Sequence, residues 1–443
     1  MRYRYRKDDE LKDSGVEWIG KIPKDWEVKK VKHVFEEISE KNYSEDAELL
    51  SLYTHLGVKP QKELEARGNK AQTVIEYKIV KKNDIVVNKM LAWMGAIGMS
   101  EYNGVISPAY NIYRKYNKDV ETRFYHHLFR TKRFANECYK NGWGIMLMRW
   151  TTTPERFKDI YIPYIPNLDK KIANFLDKKT SQFDLIISKK EKLIERLEEA
   201  KKSLISEVVT GKVKVVKTDD GYELIKRSSE EMKDSGIEWL GEIPKDWEVK
   251  KIKYTSKIYR GKFNHRPRND PDYYDGKYPF IQTGDVANSG MYISKYTQTL
   301  NEKGYSVSKE FPKGTLVMTI AANIGDIAIL NFNACFPDSI VGFTPNKFMD
   351  LKYMYYTYAI MKDEFMSTAI INTQMNLNIE RIENLSITVP SIDIQNIIVK
   401  YIEQKVNSIE LSINKTKLQI EKLKEAKQSL ISEAVTGKIE ILD

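Results

Sequence analysis

Residues 168–208 contain neither glycine nor proline, and their apolar positions return in steps of three and four. Phe183, Ile186, Leu193, Leu197, Ala200 and Leu204 mark a stripe, Lys190 fills one seam position, and Ile187, Ile194 and Ile205 widen it. That is the heptad-like seam of a long amphipathic helix. Pro166 and Asn167 supply its start and Gly211 its stop. A second stripe runs through Ile402, Ile409, Ile413, Ile420, Leu423 and Leu430, opened by Pro390 and Ser391 and closed by Gly437. At about 1.5 Å per residue, each pattern predicts a rod of about 60 Å. Such a helix is poorly stable alone, so each seam calls for a partner, and the nearest one is the other copy.

Upstream of each helix the periodicity changes. Short runs rich in β-branched and aromatic residues, bounded by Gly, Asn and Asp, read as strands: 82–88 and 104–113 in the first stretch, 278–284 and 314–320 in the second. A helical segment follows in each, at about 121–140 and about 350–367. Each stretch reads as an α+β body of roughly 130 residues.

The chain is also written twice. Residues 12–32, KDSGVEWIGKIPKDWEVKKVK, match residues 233–253, KDSGIEWLGEIPKDWEVKKIK, at 17 of 21 positions. Residues 197–212, LEEAKKSLISEVVTGK, match residues 423–438, LKEAKQSLISEAVTGK, at 13 of 16. Between these blocks, residues 33–165 and 254–390 share little beyond their strand-and-turn texture. Two near-identical frames therefore carry two different inserts. The fold expected is α+β: two globular domains separated by two long antiparallel helices in a coiled coil, related by a pseudo-two-fold axis. The expected boundaries are 1–165 for the first globular domain, 166–212 for the first helix, 213–390 for the second globular domain and 391–438 for the second helix.

Composition narrows the chemistry. The chain has 443 residues, 72 Lys+Arg against 62 Asp+Glu, and a formal net charge of +10, which suits a polyanionic partner better than an acidic one. Its two cysteines, Cys138 and Cys335, form no cluster, so a disulfide framework and a zinc site are unsupported. The charged N-terminal stretch has no apolar core of a signal peptide, and no apolar run approaches a membrane span. A cytoplasmic protein is expected. Neither a phosphate loop nor a dinucleotide fingerprint occurs, and the five histidines lack metal-ligand spacing. Ser107-Pro108-Ala109-Tyr110 only faintly resembles an amino-methyltransferase loop. Neither a catalytic residue nor a metal ligand is assigned.

The candidate nucleic-acid contacts are basic and amide side chains in turn-rich stretches. Arg and Lys bridge phosphates or pair with guanine, and Asn or Gln pair with adenine. In the second insert these are Arg260, Lys262, Asn264, His265, Arg266, Arg268 and Gln282. In the first they are His55, Lys59, Gln61, Lys89 and Arg149. Trp93 is expected in the core. Trp18, Trp26, Trp239 and Trp247 are expected to dock frame onto insert.

The paired KDSG[VI]EW[IL]G[KE]IPKDWEVKK blocks and the paired EAK[KQ]SLISE[VA]VTGK helix ends resemble the specificity subunits of type I restriction-modification systems. Residues 49–58, LLSLYTHLGV, and 88–96, NKMLAWMGA, also look like that family's target-recognition domains. The resemblance spans essentially the whole chain. It implies a non-catalytic subunit of a restriction endonuclease and adenine-specific DNA methyltransferase complex. Each insert would bind one half of a split target in double-stranded DNA, and the helices would set the gap. The frames and helices would dock two methylation subunits, and restriction subunits would complete the complex. S-adenosylmethionine, ATP and Mg would be bound by those partners and no cofactor by this chain. A different reading of the same seams is a coiled-coil adaptor that binds proteins rather than DNA.

Overall fold

In the computed structural model the described residues are 2–54, 56–63, 73–145, 150–165, 167–219, 221–321, 324–367, 369–370 and 376–442. They divide into two compact units: Met1–Glu191 together with Lys417–Asp443, and Lys192–Thr416. Each long helix, Asp169–Val209 and Ile392–Val435, contributes a stretch to both units.

The first unit is built on a four-stranded antiparallel sheet in the order Phe35–Ile38, Tyr110–Lys115, Ile85–Asn88, Ile97–Met99. The helices Thr122–Phe129 and Lys132–Lys140 pack on it through Phe124, Tyr125, Leu128, Phe129 and Phe134, all buried. Glu121 and Thr131 cap their N-termini, accepting from the Arg123 and Phe134 amides. The strand Tyr161–Tyr164 then returns to pair with Glu27–Lys30 of the first repeat block.

The second unit repeats this plan in a different sequence. Its sheet runs Ser256–Arg260, Ile340–Pro345, Leu316–Thr319, Ile327–Leu330, the same first–fourth–second–third order along the chain, with Tyr292–Ile293 added in parallel at the edge. The helices Leu351–Ile360 and Lys362–Ser367 follow, and Ser386–Val389 returns to Glu248–Lys251 of the second block. A further small sheet in the order Gln298–Leu300, Tyr274–Phe280, Ala334–Cys335, Glu310–Phe311 belongs to this unit. Inserts without recognisable similarity thus share one sheet order, and each rejoins its frame through an equivalent strand pair.

Within the first unit the two long helices run antiparallel. Asp184 meets Lys427 at 2.7 Å and Lys190 donates to Gln419 at 2.7 Å, so one index rises as the other falls. In the second unit Lys201 reaches Glu410 at 3.6 Å. The seam follows Phe183, Ile187, Lys190, Ile194, Leu197, Lys201 and Leu204 on one helix, each buried or half-buried. On the other it follows Ile402, Val406, Ile409, Ile413, Thr416, Ile420, Leu423, Lys427 and Leu430. The seam positions expected at Ile186 and Leu193 are corrected by one residue: these side chains are 43% and 44% exposed, while Ile187 is buried. Both registers were open to the pattern, since Ile186-Ile187 and Leu193-Ile194 are apolar pairs. Packing against an opposite seam spaced by threes and fours selects the second.

The repeat blocks receive the helix ends. Gly437, at φ +70°, lies so close to Pro23 and Trp26 that an added Cβ would come within 2.3 Å and 3.0 Å of them. Gly211, at φ +76°, lies in the same way against Pro244 and Trp247, at 2.6 Å and 2.9 Å. The end of the first helix thus sits on the second block, and the end of the second helix on the first. Trp26 and Trp247 are both 2% exposed. The last-turn carbonyl of Val209 accepts from Tyr353 and Thr388 at 3.0 and 2.8 Å, so the helix end is also tied to its insert.

Gly437→Ala forces an L residue into the left-handed region and a methyl group into the proline ring. The expected loss of stability is about 2–4 kcal/mol, read by equilibrium denaturation. Ala at the exposed Gly236, also at positive φ but with nothing within 4 Å, separates the two effects and should cost about 1 kcal/mol.

Candidate nucleic-acid interface

In the second unit the basic stretch forms the turn-rich connection between the strands Ser256–Arg260 and Tyr274–Phe280. Its organiser is Asp338, which sequence reasoning did not single out. The Asp338 carbonyl accepts from Arg260 Nε at 3.0 Å, one carboxylate oxygen faces Arg266 at 3.4 Å, and the other pairs with Arg268. Arg266 also donates to the Phe263 and His265 carbonyls at 2.9 and 2.8 Å. Three guanidinium groups are thus gathered on one aspartate while Arg266 and Arg268 stay 55% and 43% exposed. Ion pairs this exposed hold a side chain by about 1 kcal/mol or less, so an incoming phosphate can displace the aspartate.

The rest of the stretch is pinned by its neighbours. His265 lies flat on Tyr273, with centroids 3.8 Å apart, and its Nε2 meets Asp270 at 3.0 Å. The Asp272 amide and then His265 hold the Asp270 carboxyl below its ordinary range. Lys303 covers the Tyr273 ring at 4.4 Å. Lys262 and Asn264 are exposed, and their backbones are fixed through Phe336 and Val307. Gln282 is half-buried and donates to Gln298 at 2.9 Å. Phe263 stacks with Tyr274 and packs on Phe280 beneath the turn.

The first unit disperses its candidates. Lys59 lies on the strand Gly57–Pro60, 3.4 Å from the Tyr102 hydroxyl and 3.9 Å from Glu101. Gln61 begins the short turn after that strand. Lys89 is half-buried and its carbonyl accepts from Thr152 at 2.9 Å. His55 and Arg149 lie outside the described residues. Sequence reasoning missed an apolar shelf here. Met90, Leu91, Met94, Trp143 and Ile145 are exposed, Ile145 by 93%. Beside them Tyr139 stacks on Trp150 at 4.8 Å, and Trp93, half-buried against the core, donates to the Met90 carbonyl. The available signal was the density of Met and Trp in residues 90–94 and 143–150. Exposed aromatic and apolar side chains of this kind can stack on or wedge between bases.

Where this insert meets the long helix, charge and burial are arranged tightly. Burial tends to raise the Asp177 carboxyl, but His127 at 2.8 Å and Arg123 at 2.8 Å outweigh it and hold it low. His126 accepts from the Met99 amide at 3.0 Å, and burial, with His127 and Arg130 nearby, pulls its imidazole down to about 3. Among the described residues no group of three or more His, Cys, Asp or Glu could hold a metal ion. Among them, too, no helix is long and apolar enough to cross a membrane.

A family model described as type I restriction modification DNA specificity domain matches residues 244–422. The chain is 26% identical over 454 aligned positions to the type I restriction enzyme MjaVIII specificity subunit of Methanocaldococcus jannaschii, covering 95% of this chain and 94% of the relative. It is 32% identical over 122 residues to the MjaIX specificity subunit of the same organism, a match spanning 27% of this chain and 28% of that one. Among solved structures, a chain from a study of complex assembly and conformational transition of the type I R-M system superimposes with a TM-score of 0.69 at 14% identity, covering 94% of this chain and 99% of the other. The HsdS subunit from Thermoanaerobacter tengcongensis gives 0.52 at 13% identity, covering 94% and 98%. At such identities these last two show a common fold.

The His126 imidazole is held neutral, so its folded pKa lies below the unfolded value. Its contribution is complete above pH 6.5 and is lost as pH falls toward about 3, at up to about 1.4 kcal/mol per pH unit. His126→Gln keeps an acceptor for Met99 and removes the titration. Denaturation midpoints measured from pH 7 to pH 4 should fall less steeply in the variant, and equal slopes would refute the assignment.

Proposed function

We propose, on the premise that the chain belongs to the type I restriction-modification specificity-subunit family, that it reads one split DNA target through its two inserts and contributes no catalytic centre to the complex. The observation that carries this reading is the pair of inserts with one sheet order, one frame and unrelated surfaces: arginines gathered on Asp338 in one, an apolar aromatic shelf in the other. A single active site would have no use for that duplication, whereas two half-sites with different base sequences require it.

The second insert would grip phosphates or guanines through Arg260, Arg266 and Arg268, with Lys262 and Asn264 beside them. The first would use Lys59, Gln61 and Lys89 with its shelf, and His55 and Arg149 remain candidates there. The helices, shared by both units, would set the spacing between half-sites. They also leave apolar side chains for partner helices: Leu185, Ile186 and Leu418 in the first unit, Leu193 and Leu411 in the second, all exposed. Two methylation subunits carrying S-adenosylmethionine would dock there, and restriction subunits with ATP and Mg would complete the assembly.

Exchange of residues 33–165 for a foreign insert should change one half of the methylated sequence and preserve the other. Change in both halves, or in neither, would falsify modular reading. Asp338→Asn should leave stability within about 1 kcal/mol. In the complex with its methylation subunits it should strengthen duplex binding several-fold at low salt, because the arginines lose a competing carboxylate. The gain should shrink as salt rises. Salt-independent binding, or none at all, would favour an adaptor for proteins.

A further inference from the structure

The frame carries a polar feature that neither insert explains. Among the described residues, one arginine and one tryptophan at equivalent positions of both units bury N–H groups without an acceptor, and Trp239 Nε1 of the second unit does so as well. In the first unit the equivalent groups are Arg6 Nε and Trp26 Nε1, and in the second Arg227 Nε and Trp247 Nε1. The pairs correspond, since residues 6 and 26 plus 221 give 227 and 247, the offset of the repeat block. The segment before the block has largely changed: YRYRKDDE at residues 3–10 stands opposite LIKRSSEE at 224–231, yet Arg6 and Glu10 recur as Arg227 and Glu231. A buried donor without a partner is destabilising, and both groups can only donate. Only an acceptor can satisfy them.

The two copies differ at one decisive position. The strand after each helix pairs with the strand before each block in the same register: Ile439, Glu440 and Ile441 face Tyr5, Arg4 and Tyr3, while Val213, Lys214 and Val215 face Lys226, Ile225 and Leu224. Glu440 and Lys214 are therefore equivalent. In the first unit Glu440 turns its carboxylate to Arg6 at 3.4 Å and also pairs with Arg4. In the second unit a lysine stands there. Arg227, its side chain only 9% exposed, is left with Glu231 at 3.7 Å. A cavity of about 290 Å³ opens at that place, lined by Arg227, Lys214, Lys245, Trp247, Glu231 and Asp246 among others.

We propose that this cavity is a carboxylate-binding site, and that it receives an acidic side chain from a protein segment assembled on the second unit. The first unit shows the charge pairing, with its own glutamate on the terminal nitrogen of the equivalent arginine while Arg6 Nε and Trp26 Nε1 stay without a partner among the described residues. A lysine in place of that glutamate removes one anion and adds a cation, so an external carboxylate meets Arg227, Lys214 and Lys245, with Glu231 the internal carboxylate still on Arg227, at 3.7 Å. The same walls disfavour phosphate. Glu231 and Asp246 oppose a dianion more strongly than a single charge, and a carboxylate engages the arginine fork while bringing only one. This inference does not depend on which bases the inserts read.

The test uses the full chain labelled with 5-fluorotryptophan, its seven resonances assigned by single Trp→Phe variants. The probe is an acetylated, amidated Ala-Glu-Ala peptide, with Ala-Gln-Ala, inorganic phosphate and a duplex oligonucleotide as comparisons. The glutamate peptide should shift the Trp247 signal saturably and leave Trp26 in place, and the glutamine peptide should do neither. Lys214→Glu, which installs the first unit's arrangement, should weaken the peptide at least ten-fold and raise the thermal midpoint. Arg227→Gln should abolish the response. If phosphate or the duplex moves Trp247 as effectively as the glutamate peptide, or if the peptide acts equally on Lys214→Glu, the carboxylate assignment is overturned. Silence of Trp247 toward every probe also overturns it and leaves water as the acceptor.

Discussion

A glycine in the left-handed region, pressed against a proline and a buried tryptophan, is the contact on which the rest of the molecule is hung. It occurs at Gly437 on Pro23 and Trp26, and at Gly211 on Pro244 and Trp247. A side chain at either glycine would have to occupy space already held by ring atoms, and the backbone there turns in a way that L residues resist. Because each helix ends on the block of the opposite half, neither half can complete its core alone. Leu430, Ile431, Ala434 and Val435 belong to the core of the first unit, and Ile205, Val208 and Val209 to that of the second. Burying one tryptophan at such a joint is worth about 4–6 kcal/mol of transfer free energy, so the joint is no incidental contact.

Fixing the frame in this way frees the inserts. Each is tied to it by the same two devices: a strand returning to the block, and helices packed on the sheet. Beyond those ties the surfaces share no requirement. One insert spends its polar groups on a cluster of arginines around Asp338, and the other exposes methionine, leucine, isoleucine and tryptophan. Divergence without loss of fold is what a reader of two unlike half-sites needs.

The rods, the twinned frame and the strand-rich inserts were legible in the residues, because each leaves a period or a repeat. The exact seam was not. Ile186-Ile187 and Leu193-Ile194 offer two adjacent stripes, and only the opposing helix chooses between them. The common sheet order of the inserts was also hidden, since strand order is decided by contacts far apart along the chain. At the candidate interface the basic run 260–268 was visible as charge, but Asp338, about 70 residues away, carries no motif that ties it to those arginines. The apolar shelf was missed because exposure of a methionine or tryptophan cannot be inferred from its identity. The difference between Glu440 and Lys214 lay in plain sight, yet it acquires meaning only when strand pairing sets each beside an arginine.

The division of the chain between units bears on how the protein comes off the ribosome. The first unit needs residues 417–443, including the strand Ile439–Ile441 that pairs with Tyr3–Tyr5. Until residues 430–441 are translated, the first unit lacks four core residues of the second helix and its closing strand. At about 5–20 residues per second it waits some tens of seconds, with apolar surface uncovered, while the second unit is synthesised and can fold. A nonsense mutation at any of codons 430–441 would therefore injure a unit made long before it, and a nascent chain of this design depends on chaperone cover longest for that first unit.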